Sequence, residues 1–254
     1  MGVLVLGLAV AVAGCSAADQ NSSGARPVGQ GRAPGFPRVP APHPALSQTI
    51  THGLGGAGRI CLTVDDGDCA DCVGGYVEFA QRSGIHLTFS PNGVYASCWS
   101  PHAGTLKPLI ERGQVQIMNH TFSHRDLRRM TEAQITTELE RNDDWVVKTF
   151  GVTTRPYYRP PFGFHNSHID GVAAGLGYTR TVMGDGSYAD SDPITPEVLI
   201  GMAQQYLHPG VIMLGHANHP TVLGCFDQIQ ALIKQRNLSP VTLDEMFGTS
   251  RATG

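Results

Sequence analysis

From residue 59 onward the chain repeats one pattern: a short apolar run, a turn, an amphipathic segment, then the next apolar run. The pattern predicts strands over 60–64, 86–89, 115–118, 178–182, 211–214 and 241–243. It predicts helices over 75–82, 106–112, 132–149, 170–176 and 222–236. The helix over 132–149 is the most fully specified. Thr131 caps it, Gln134 completes a capping box, Met130 and Ile135 form a staple, and Gly151 supplies the stop. Gly84 and Gly113 close the two helices before it. Thr195-Pro196-Glu197 opens a further helix, a capping residue followed by proline at the first helical position. Strands that alternate with helices run parallel, with the helices outside. About six or seven such units in roughly 190 residues fit an α/β barrel better than an open sheet.

The chain has 254 residues, so one domain with appendages is expected. The first appendage is the apolar run MGVLVLGLAVAVAGC, too short for a mature membrane span, which needs about 20 residues. It reads as an export signal. Its ending, Val12-Ala13-Gly14-Cys15, resembles a bacterial lipobox. That resemblance implies a lipoprotein-type signal over 1–15, with Cys15 lipidated and holding the chain to a membrane; an ordinary secretory signal is the alternative. Residues 16–50 are rich in Ser, Gly, Ala and Pro without apolar periodicity, and predict a flexible tether. The folded domain is expected over 51–250. A net charge of −3 argues against a general polyanion binder, and no nucleic-acid motif is present.

Export makes disulfides the default for the cysteines. Cys61 lies inside an apolar strand and reads as a buried thiol. Cys69, Cys72, Cys98 and Cys225 allow two bridges in three pairings. A zinc ribbon would need a second Cys-x-x-Cys pair.

In parallel α/β folds chemistry gathers where strands end. Asp65 and Asp66 follow the first predicted strand. His120 and His124 follow the third, in NHTFSH. Arg159 lies in YYRPPFGFHN, Asp185 in MGDGS, and His216 and His219 in GHANH. Two imidazoles four residues apart share a face of a helical turn, and with a carboxylate they make a three-ligand site for a borderline divalent metal. With 11 histidines in 254 residues, roughly half a pair at that spacing is expected by chance, so spacing alone is weak. The strand-end setting strengthens it. Two adjacent carboxylates also repel unless something cationic lies beside them.

TVDDG at 63–67, HTFSH at 120–124, RPPFG at 159–163 and LGH at 214–216 occur in that order. Together they resemble the polysaccharide deacetylase family, the NodB-homology domain of carbohydrate esterase family 4. The resemblance covers about residues 59–248. It implies a distorted (β/α) barrel, a single domain, and removal of N-acetyl groups from sugars by attack of metal-activated water. Residue by residue, it implies that Asp66, His120 and His124 bind the metal. The metal is expected to be zinc, with cobalt, nickel or manganese as alternatives. Asp65 would be the general base and Arg159 would hold it. The backbone N–H of Phe162 would stabilise the oxyanion, Leu214 would wall the acetyl pocket, and His216 would be the general acid, oriented by Asp185. The fourth motif departs from the family pattern: Asp185 is followed by Gly186, Ser187 and Tyr188, without tryptophan, and Asp190 and Asp192 are rival partners for His216. Val64 and Phe162 stand where the family usually has Phe and Tyr. His165, Asn166 and His219 are candidate sugar or site contacts.

The expected substrate is an N-acetylglucosamine-containing glycan, peptidoglycan or chitin-like, met by an exported enzyme on the membrane facing the cell wall. No obligatory protein partner is implied. An O-acetyl xylan esterase would use the same site. A catalytically inactive carbohydrate-binding lipoprotein would not need every ligand and acid–base group, and a metal receptor would need neither Asp65 nor Arg159.

Overall fold

The structure, a computed structural model, describes residues 47–54 and 56–248. The signal, Cys15 and residues 16–46 of the expected tether lie outside the described residues. Among the described residues nine strands follow in chain order: β1 (Gln48–Ile50), β2 (Arg59–Asp66), β3 (Leu87–Pro91), β4 (Val115–Ile117), β5 (Tyr157–Tyr158), β6 (Arg180–Val182), β7 (Gly186–Ser187), β8 (Ile212–His216) and β9 (Ser239–Pro240). All pair in parallel. One sheet runs β4-β3-β2-β8-β7, with β9 also on β2, and the other runs β1-β6-β5. A bridge between Asn119 and Tyr158 joins the two. The strands thus curve into a distorted (β/α) barrel. Its seam is spanned by isolated hydrogen bonds such as Gly53 N–H to Gly210 O at 2.7 Å.

β2 is central and apolar on both faces, as a strand covered on both sides must be. Ile60, Leu62 and Val64 point outward into the core beneath the helices, with Tyr76, Phe79 and Phe226. Cys61 points inward, among Ile50, Met118, Tyr157, Val182, Ile212, Leu243 and Met246. Alternation therefore directs Thr63 and Asp65 to the barrel interior. The helix Glu132–Phe150 has the Thr131 capping box and ends at Gly151 in the left-handed conformation, φ 82°. The helix Ala70–Ser83 stops at Gly84, φ 71°.

Four expectations change. Residues 48–50, assigned to the tether, form β1 and bury Ile50. The strand expected over 241–243 is replaced by β9 and a short helix, Leu243–Phe247, which Thr242 and Glu245 open with a second capping box. That helix turns Leu243 and Met246 into the barrel interior. The helix over 222–236 is a 3-10 turn, Pro220–Gly224, followed by the helix Phe226–Gln235. Finally, Cys69 and Cys72 are bridged to each other, and Cys225 is a free buried thiol like Cys61.

Candidate active site

Adjacent residues of a regular strand face opposite ways. Asp65 and Asp66 nevertheless line the same cleft, of about 620 Å³. The reason is a left-handed backbone at Asp66, φ 69°, followed by Gly67 at φ 107°. Aspartate tolerates that conformation better than most residues. The Trp99 indole donates to the Asp66 carbonyl at 2.8 Å and fixes the turn.

His120 and His124 also enter the cleft, but not from a helical turn. They lie on a loop after β4 in which Thr121 and His124 have φ 68° and 52°. Buried asparagines hold this loop. Asn92 donates to the carbonyls of His120 (2.6 Å) and Thr121 (3.1 Å), and Asn119 accepts from the Thr121 N–H at 2.8 Å. The result places His120 Nε2 3.3 Å and His124 Nε2 3.4 Å from the same oxygen, Asp66 Oδ1.

That oxygen decides what the group suits. Asp66 Oδ1 is buried and accepts no hydrogen bond among the described residues. His120 Nδ1 lies 2.8 Å from the Arg159 carbonyl, which only accepts. Nδ1 therefore carries a proton, which leaves Nε2 facing Asp66 as the atom that would offer its lone pair to an ion. Two imidazoles and one carboxylate converging on one point are the donor set of a three-ligand divalent-metal site, and one ligand atom from each lies within 4.8 Å of the others. The residues fit such an ion. Burial alone would raise the Asp66 carboxyl; the pairing with His120 and the charges of His120, His124 and His216 outweigh it and hold it well below the usual carboxylate range. Asn218, not anticipated from sequence, donates to Asp66 Oδ2 at 2.8 Å and accepts from the Gly67 N–H at 3.2 Å.

Asp65 is 2% exposed and held from the other side. Arg159 Nη1 donates to Asp65 Oδ1 at 2.8 Å and to Thr63 Oγ1 at 2.9 Å, while its Nε donates to the Val182 carbonyl at 3.1 Å. The free edge of Asp65, Oδ2, lies 3.5 Å from His120 Nε2. The Arg159 guanidinium is therefore fixed by β2 and β6 as well as by the carboxylate it holds.

His216 ends β8, directly beside Asp65 in the β2–β8 register. Its partner is Asp190, not Asp185. His216 Nδ1 lies 2.9 Å from Asp190 Oδ1, and its backbone N–H donates to Asp190 Oδ2 at 3.1 Å. Asp185 instead accepts from the Ile212 N–H at 3.0 Å, a structural tie between β8 and the loop before β7. The turn at Ala189, φ 59°, returns the chain so that Asp190 reaches His216. Burial lowers the His216 pKa, but the Asp190 hydrogen bond and the nearby carboxylates of Asp65, Asp190 and Asp66 raise it above the ordinary histidine value on balance.

Phe162, Leu214, Ser191 and Asp192 also line the cleft. Phe162 has φ 60° on the turn Pro161–Gly163, and its ring meets His124 edge-on at 4.6 Å. His165 pairs with Asp170 at 2.8 Å, and Asn166 caps the helix Ser167–Gly175, so both serve local structure. His219 contacts the Ser191 carbonyl at 3.2 Å.

The polysaccharide deacetylase family model matches residues 54–181. A peptidoglycan-N-acetylglucosamine deacetylase of Listeria monocytogenes is 24% identical over 197 residues, covering 77% of this chain and 40% of its own. The chain thus spans less than half the length of that curated relative. Among solved structures, a family 4 carbohydrate esterase of Bacillus subtilis matches with a TM-score of 0.68 at 24% identity, over 79% of this chain and 85% of that one. A family 4 pseudoenzyme of Bacillus anthracis matches with a TM-score of 0.69 at 17% identity, over 78% and 68%. With the family model matching half its length, the chain belongs to the polysaccharide deacetylase family.

Proposed function

We propose that the protein is a metal-dependent hydrolase that removes N-acetyl groups from N-acetylglucosamine-containing polysaccharide. One observation carries this reading. A single cleft holds a three-ligand donor set flanked by a carboxylate fixed by arginine and by a histidine fixed by a second carboxylate. A pseudoenzyme shares the fold, so the fold alone does not carry the activity; the donor set and its flanking groups do.

A divalent ion on Asp66, His120 and His124 would polarise the acetyl carbonyl and acidify a water. Asp65, anchored through Oδ1, has Oδ2 turned toward His120 Nε2 and is placed to take the proton of the attacking water. Arg159 keeps that carboxylate from turning away. The Phe162 N–H is the candidate donor to the developing oxyanion, and such a donor is worth about 3–4 kcal/mol. The apolar wall at Leu214 suits the acetyl methyl. The leaving amine departs when protonated. His216, doubly protonated with Nδ1–H on Asp190, would supply that proton from Nε2. Zinc as the ion, Cys15 as a lipid anchor, and peptidoglycan as the glycan are part of the same proposal. The last follows the name of the Listeria relative.

The test is acetate release from peptidoglycan, chitooligosaccharides and acetylxylan, with and without chelator. Chelator-sensitive release from an N-acetylated glycan, restored by divalent metal, is expected. Release confined to acetylxylan would make the protein an O-acetyl esterase. Release indifferent to chelator would remove the metal from the reading.

A further inference from the structure

The loop that carries His120 and His124 is held in a conformation its own residues disfavour. Thr121 has φ 68°, an outlier for a β-branched residue, and His124 has φ 52°. Such backbone persists only where its surroundings over-determine it. The Thr121 side chain does not do so: its Oγ1 is buried and makes no hydrogen bond among the described residues. Two asparagines clamp the Thr121 backbone instead. Asn119 Oδ1 accepts its N–H at 2.8 Å, and Asn92 Nδ2 donates to its carbonyl at 3.1 Å.

Both clamps lead to a third asparagine. In the helix Glu132–Phe150 the buried stripe runs Ile135, Leu139, Asn142, Val146 and Phe150, so Asn142 stands where an apolar residue is expected. It is 0% exposed. Asparagine favours a helix interior less than leucine does, and burying its amide is costly unless every group is paired. Its amide is spent on the loops. Nδ2 donates to Asn119 Oδ1 at 3.2 Å and to the Pro91 carbonyl at 3.1 Å, and Oδ1 accepts the Gly93 N–H at 2.8 Å. Pro91 and Gly93 flank Asn92. One side chain therefore braces Asn92 on both sides and fixes the acceptor oxygen of Asn119. Asn142 is not among the residues that line the cleft. We infer that Asn142 is a positioning residue: from the helix core it sets how His120 and His124 converge on Asp66, and with it the affinity for a divalent ion. The inference rests on the metal site of the proposed function.

Zinc affinity, measured by competition with a chromophoric chelator, tests it in the Asn142→Ala chain. A loss of about tenfold or more is expected. Thr121→Gly removes the disfavoured side chain from the left-handed position, and adding it to Asn142→Ala is expected to restore most of the affinity. Thr242→Ala is the control for stability alone. It breaks the capping box of the helix Leu243–Phe247, which follows β9 at the far end of β2 from Asp66. It should lower the denaturation midpoint and leave zinc affinity unchanged. Should Asn142→Ala fail to fold, Asn142→Ser carries the same comparison. Unchanged zinc affinity in the folded Asn142 variant, or an equal loss in Thr242→Ala, overturns the inference. The ring signals of His120 and His216 in the metal-free chain, followed by NMR, separate it from the proposed function. If the unaltered chain binds no divalent ion, the metal reading fails. A His120 signal that still moves in the Asn142 variant while His216 stays then upholds the positioning role, and one that stays overturns it as well.

Discussion

Asp190→Asn is the perturbation that separates the observed geometry from the motif-based assignment. Asp190 is 3% exposed and gives His216 two contacts, to Nδ1 and to the backbone N–H. An amide keeps the size and one acceptor but loses the charge. A hydrogen bond to a charged partner contributes about 1.5–3 kcal/mol, against about 1 for a neutral one. One pKa unit corresponds to about 1.4 kcal/mol, so the His216 pKa should fall by about one unit, up to two with the lost Coulomb attraction. The sign follows from the role. A general acid acts while protonated, so activity is lost as pH rises through its pKa. Lowering that pKa moves the alkaline limb of the kcat profile to lower pH by the same one to two units. Acetate release across a pH series measures it. Asp185→Asn is the control: its carboxylate touches the Ile212 N–H and not His216, so the limb should stay in place. A limb that moves in the Asp185 variant and stays in the Asp190 variant refutes the assignment.

Asp65→Asn should lower kcat by about 10²–10⁴-fold, the typical contribution of a general base, while metal content by mass spectrometry is retained; loss of metal in that variant would exchange the roles of the two aspartates. His120→Ala should lose the metal, and full occupancy in the purified variant would show the ligand set to be wrong. Asn218→Ala removes the hydrogen bond to Asp66 Oδ2 and should weaken metal affinity about 10–100-fold in a competition titration, with kcat at saturating metal affected less. Gly67→Ala should lower stability by roughly 3 kcal/mol, read as a fall in the denaturation midpoint. The added Cβ would lie 2.1 Å from Trp99 Nε1 at a φ of 107°, and an unchanged midpoint would mean that the turn after Asp66 relaxes freely.

The parts of the fold legible in sequence are those whose signals are local. The Thr131–Gln134 box and Gly151 fixed both ends of the long helix because caps are read within a few residues. Thr242 and Glu245 carried the same signal, but the short apolar run beside them looked like another strand in a repeating pattern. The strand-end residues were legible because the barrel places chemistry there. How His120 and His124 converge was not. Their spacing suits a helix, whereas the actual convergence depends on positive φ values, on the neighbouring Asn119 and on Asn92, which is distant in sequence. Asn218 was hidden for the same reason, and the choice among Asp185, Asp190 and Asp192 as the partner of His216 stayed open. Asp190 and Asn218 each reach a partner by a fold-back that no periodicity records.

Arg159 serves the site through two separate parts of itself. Its guanidinium holds Asp65, and its carbonyl sets the tautomer of His120. Pro160 and Pro161 follow, and a residue before proline is confined to extended backbone, which helps aim that carbonyl. Side-chain mutagenesis therefore sees half of what this position does. Every substitution at 159 leaves the carbonyl where it was, so a mutational scan would score the residue as a tether for the base alone. The other half becomes visible when the backbone itself is edited. An ester in place of the amide between 159 and 160 weakens the carbonyl as an acceptor, and its signature would be a change in metal affinity with Arg159 intact.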